Sequence, residues 1–241
     1  NKMAHVGLML LKAGFTGEQD GIKSIFGSVV SNKFDDKSAV ELLGKRFEVS
    51  RNYFKLHACC RYNHAALDAL WIIIEQHSEV KNINQIKKIE VQSYNLAAEL
   101  NDQNPRNVLA CKFSIPFAIS TTLVNLDSGV LSFTEIMRTN KNIQNLCQKV
   151  TIVEDTTMTE KTPDLRPADV HVLMENGSTF KAQVTTNRGD WQDPYSEEEL
   201  KQKFISLTTR LWSQKKALNV YSKSIKLEKI PLDDLIKSII N

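Results

Sequence analysis

The most regular hydrophobic patterning begins at His64, where Ala65, Leu67, Leu70, Trp71 and Ile74 recur with the spacing of one helix face through Gln76. Asn63 stands ahead of this run as its expected N-cap. Downstream, Ile89, Val91 and Ser93 alternate with Glu90 and Gln92, the period of a half-buried strand. A helix is expected over 113–126, with Pro116 tolerated in its first turn. A short strand is expected over 150–153. Two alternating runs, 169–174 and 179–185, flank Glu175-Asn176-Gly177-Ser178, and Asn-Gly between such runs predicts a hairpin.

Ser196 followed by Glu199 forms a capping-box pattern, after which Leu200, Phe204, Leu207 and Leu211 recur every three or four residues. A last amphipathic helix is expected over 232–240, with Leu232, Leu235, Ile236 and Ile239 on one side. At the other end, apolar residues occur on most faces of 3–11, as in a helix buried in a bundle, and Gly14 should terminate it. Short helices are expected near 20–26 and 36–43. A buried-looking first helix without a preceding cap suggests that the natural sequence begins upstream of Asn1. Helices, then a mixed segment with a hairpin, then helices again indicate an α+β fold. The expected arrangement is a mainly helical domain with an inserted α+β lid domain containing an antiparallel sheet. Its segments are 1–50, the end of the helical domain; 51–195, the lid; and 196–241, helices returning to the helical domain.

Composition narrows the function. With 41% hydrophobic residues, 9 Gly and 6 Pro, the chain can build a core and is neither disordered nor collagen-like. Lys and Arg number 31 against 28 acidic residues, interspersed without a basic block, so no nucleic-acid partner is expected. The longest apolar run, Ala69 to Ile74, is far short of the roughly 20 residues of a membrane span. Four irregularly spaced cysteines (Cys59, Cys60, Cys111, Cys147) suit reduced thiols in the cytoplasm better than a disulfide framework. Without CxxC or HExxH spacing, and with scattered histidines, no metal site is expected.

The densest polar stretch is Lys55-Leu56-His57-Ala58-Cys59-Cys60-Arg61-Tyr62-Asn63-His64, leading directly into the apolar helix. A helix N-terminus attracts anions, and Lys55 and Arg61 add positive charge, so a carboxylate could bind here. His64 could carry a proton, and the helix end could acidify Cys60. The alternative is a polar loop with satisfied groups and a buried cysteine. Lys112 and Ser114 sit at a second helix start, where the competing reading is an ordinary capped helix with a solvated lysine. Arg188-Gly189-Asp190 reads as a turn.

Taken in order, several segments resemble the MmgE/PrpD family: Gly14-Phe15-Thr16-Gly17; Lys55 to His64 followed by Asp68; Lys112-Phe113-Ser114-Ile115-Pro116; and Gly189-Asp190 with Pro194, Ser196, Glu199, Leu200, Lys203 and Phe204. The resemblance covers nearly the whole chain and corresponds to the C-terminal part of the family's usual length. That family includes methylcitrate dehydratases, cis-aconitate decarboxylases and iminodisuccinate epimerases. It implies a cofactor-independent lyase acting on a small di- or tricarboxylic acid by moving a proton beside a carboxylate, and a cytoplasmic homodimer. The resemblance assigns Lys55, His64 and Cys60 to catalysis and proton handling, and Arg61, Lys112 and Ser114 to substrate binding. Phe117 stands where relatives commonly have Tyr, so a hydroxyl from that helix is missing.

Overall fold

The computed structural model describes residues 2–240, which divide into two compact units on either side of the Ser50–Arg51 junction. In the first unit, helix α1 (Lys2–Lys12) ends ahead of Gly14, whose φ of +89° favours glycine. The expectation of a buried helix is not met: no residue of α1 is buried, and Met3 and Leu11 are 78% and 64% exposed. Apolar residues on several faces permitted burial but did not specify what would cover them. The expected helix near 20–26 is one turn of α-helix, Gly21–Lys23, continued by a π-helical segment, Ser24–Val29. Helix α2 (Asp36–Val40) is shorter than expected and is capped by Asp35, whose carboxylate accepts from the Lys37 and Ser38 backbone N–H groups.

The second unit is built around helix α3 (His64–Gln76), which buries Leu67, Leu70, Ile73 and Ile74. Each such side chain contributes about 1.5–3 kcal/mol when removed from water. Asn63 does not cap α3 through its side chain. It ends a 3-10 turn, Arg61–Asn63, in helical backbone geometry, and its Nδ2 donates instead to the Lys112 carbonyl at 3.0 Å. Strand β1 (Ile86–Ser93) follows, then α4 (Val108–Lys112) and α5 (Ile115–Asn125). The helix expected over 113–126 is α5, which starts after Ser114 leaves helical geometry and caps it by accepting from Phe117 N–H, with Pro116 in its first turn; α4 is a separate short helix ahead of it.

Helix α6 (Lys141–Cys147) precedes strand β2 (Val150–Glu154), and the expected hairpin is β3 (Ala168–Met174) with β4 (Thr179–Val184). Gly177 takes φ +87° in its turn. The strands form one sheet in the order β2-β1-β3-β4. It is mixed rather than antiparallel, because β2 lies parallel to β1 while β1, β3 and β4 pair antiparallel. The connection from β1 to β2 runs through α4, α5 and α6, and such a helical crossover returns the chain in the same direction.

One sheet face, including Ile89, Val91, Val150, Val170 and Val172, joins α3 and α5 in the core, whereas Lys88, Glu90, Asp169 and His171 occupy the other. This is an α+β arrangement of helices on a mixed sheet. Helix α7 (Glu197–Thr208) begins at the expected capping box, with reciprocal Ser196 and Glu199 bonds, and stops before Leu211, which is 90% exposed. Helices α8 (Gln214–Ser224) and α9 (Leu232–Ile240) follow. Among the described residues no helix is long and apolar enough to cross a membrane.

Candidate functional site

The stretch from Phe54 to Asn63 is held by backbone bonds to three separate segments. Phe54 N–H donates to Gly189 O at 2.9 Å, Ala58 N–H to Ser128 O at 2.9 Å, and Cys60 N–H to Lys112 O at 2.8 Å. Gly189 has φ +88°, and a Cβ there would collide with the Tyr195 ring and the Phe54 carbonyl. A glycine therefore lets the Arg188–Asp190 turn close directly on the polar loop.

Within this frame Lys55 Nζ donates to Cys59 O at 3.3 Å. Burial pushes the Cys59 thiol up to about 12, so it stays protonated. Cys60 is half-buried and is not in a disulfide. Arg61 lies over the Tyr53 ring, 3.9 Å from its centroid, and its guanidinium pairs with buried Asp190. That pairing commits the Arg61 charge to the fold. Lys112 is half-buried at the end of α4, and its carbonyl accepts from Cys60 and Asn63. Ser114 is fully buried, donates to Asp102 O at 2.5 Å and accepts from Phe117 N–H, so capping occupies its hydroxyl.

His64 is also sealed from solvent. Burial, followed by the neighbouring His57 and by the Lys55 charge, lowers its pKa to about 2 and keeps the imidazole neutral. Among the described residues neither of its ring nitrogens has a side-chain partner, and an interaction with the Cys59 backbone only partly offsets the shift. His57 meets it edge-on with ring centroids 4.9 Å apart. In contrast, His57 is fully bonded: Nδ1 lies 2.6 Å from Ser128 Oγ and Nε2 lies 2.9 Å from Asp68 Oδ1. The other Asp68 oxygen accepts from Arg188 N–H at 2.8 Å.

Beside this network opens a cavity of about 1220 Å³. Its wall includes Leu56, His57, Asp68, Trp71, Ser128 and Lys203. None of Lys55, Cys60, Arg61, His64, Lys112 or Ser114 is among its lining residues. The six expected positions thus cluster around the loop without facing the main hollow, while Leu56, His57 and Ala58 of the same loop do face it. Lys203, on α7, has its ammonium pKa lowered by burial and by the charge of Lys55. These two cations are therefore close enough to repel one another. Among the described residues no group of three or more His, Cys, Asp and Glu side chains could hold a metal ion.

Sequence reasoning placed His57 in the polar cluster without singling it out, and used Asp68 and Lys203 only for the family resemblance. Ser128 was missed because Asp127-Ser128-Gly129 reads as an ordinary turn after a helix. No local pattern connects it to His57, 71 positions earlier.

The chain belongs to the MmgE/PrpD family: the profile of the MmgE/PrpD C-terminal domain matches residues 57–227. The matched span contains Cys60, Arg61, His64, Lys112, Ser114 and Lys203, while Lys55 lies two residues ahead of it. No curated protein matches the chain.

Proposed function

We propose that this chain is the C-terminal portion of a cofactor-independent, 2-methylcitrate dehydratase-like lyase that moves a proton beside a carboxylate of a small di- or tricarboxylic acid. Support comes from family membership together with Lys203 on the cavity wall, whose ammonium feels the positive charge of Lys55. A bound carboxylate relieves like-charge repulsion and supplies a counter-ion where water is partly excluded. In this reading Lys55 holds the acid and stabilises charge developing on its carboxylate. Cys60 and His64 complete the loop side of the catalytic set, and Lys112 is a further anion contact. Arg61 and Ser114 act by fixing the loop and α5. Decarboxylation of cis-aconitate and epimerisation of iminodisuccinate use related proton chemistry and are the alternatives within the enzyme class. The reading includes a cytoplasmic homodimer.

The experiment is turnover of 2-methylcitrate and cis-aconitate by the protein and its Lys55→Ala and His64→Ala variants, with circular dichroism confirming that each folds. Loss of a charge-stabilising donor is expected to lower kcat by about 10²- to 10³-fold. Unchanged turnover in both folded variants contradicts the residue assignment.

A second reading, binding without turnover, is favoured by the sealed, neutral imidazole of His64, which is poorly suited to proton exchange near neutral pH. Calorimetric binding of citrate-like acids without conversion of either substrate selects that reading.

A further inference from the structure

Ser128, His57 and Asp68 form a continuous hydrogen-bonded series along the cavity wall, and its protonation pattern can be deduced. Ionised Asp68 can only accept, and one of its oxygens already takes the Arg188 N–H. His57 Nε2, facing the other oxygen, must therefore carry a proton. In the neutral ring Nδ1 is then the acceptor, so Ser128 Oγ–H donates to it at 2.6 Å. The serine proton is directed into an imidazole whose orientation and tautomer are fixed from the far side. That is the arrangement an activated hydroxyl nucleophile requires, with the two ring nitrogens exchanged relative to the usual Ser-His-Asp triad.

Ser128 is 8% exposed and is part of the cavity wall, along with apolar Leu56, Trp71, Ile72 and Val130. We infer that Ser128 is an acylatable nucleophile and that the cavity accepts small esters with an apolar acyl or alkyl group. Ser128 Oγ bonds to the acyl carbon as its proton passes to His57 Nδ1. The ester C–O bond then breaks, and the departing alkoxide takes that proton. Water next gives a proton to His57 and its oxygen to the acyl carbon. The acid leaves as the Ser128 Oγ–C bond breaks, and His57 returns the proton to Ser128. Ser128 and His57 are the catalytic residues of this step, and Asp68 is a positioning residue. The inference is independent of the carboxylic-acid reading, because none of these three groups is assigned to the Lys55 site.

The test is reaction of the native protein with a fluorophosphonate, with the modified residue located by mass spectrometry, alongside hydrolysis of p-nitrophenyl butyrate. A single adduct on Ser128 is expected, and Ser128→Ala should abolish it. His57→Gln should slow labelling by about 10²- to 10⁴-fold. Asp68→Asn should slow it and change its pH profile, an effect that a purely structural carboxylate would not produce. Absence of an adduct on Ser128 of the native protein, while a known serine hydrolase is labelled in parallel, overturns the inference without reference to variant folding. Equal labelling of folded Ser128→Ala does so as well.

Discussion

His57 and His64 meet edge-on with ring centroids 4.9 Å apart, yet their polar surroundings are opposite. One imidazole is bonded at both nitrogens, to Ser128 and Asp68; the other has no side-chain partner at either among the described residues. His57 touches the cavity, whereas His64 is sealed from solvent.

Stability should fall as the pH drops below 6.5. The folded pKa of His64 is about 2, below the ordinary imidazole value of 6.5, so between these limits the unfolded chain binds more protons than the folded one. Stability from this group is fully present above 6.5 and decreases as the pH falls toward 2, by about 1.4 kcal/mol per pH unit for one proton. Urea titrations at pH 7.0, 6.0 and 5.0 should show this slope, and His64→Gln should flatten it. An equal slope in the variant would rule out His64 as its source.

The Arg61–Asp190 pair should be costly to split and tolerable to replace. Asp190 is 2% exposed, so Asp190→Ala leaves the Arg61 charge largely buried without its partner. The expected loss is about 3–5 kcal/mol by denaturant unfolding. Replacing both partners by Arg61→Met and Asp190→Leu should recover much of it. Additive losses in the double variant would show that the two groups stabilise different contacts.

Gly189→Ala should destabilise the second unit far more than an ordinary surface substitution. The new methyl group meets the Tyr195 ring and the Phe54 carbonyl, in a backbone region that alanine disfavours. A cost of about 2–4 kcal/mol is expected in thermal or urea unfolding, combining backbone strain with overpacking. A loss within experimental error would mean that the turn can move away from the loop.

Much of the fold was legible because local and tertiary requirements coincided. The apolar stripe of α3, the Asn-Gly hairpin and the Ser196–Glu199 capping box each specify an element and each is present. Local signals failed where distant backbone competed for the same side chain. Asn63 looks like a cap, but Lys112 O, 49 positions away, takes its amide. The parallel pairing of β2 was hidden because a short apolar strand carries no mark of direction. For the candidate site, the sequence singled out a loop that lies beside the cavity but could not tell which of its side chains face it. That division depends on contacts with Ser128, Arg188 and Gly189, all remote in the chain.

The most direct measurement is isothermal titration of 2-methylcitrate and cis-aconitate into the protein and into folded Lys55→Ala. Removing one partly desolvated ion contact is expected to weaken binding by at least about tenfold, corresponding to about 1.4 kcal/mol. Saturable binding to the native protein with that loss in the variant is the predicted result. The same affinity in both proteins would contradict a site in which the Lys55 ammonium grips a small polycarboxylate.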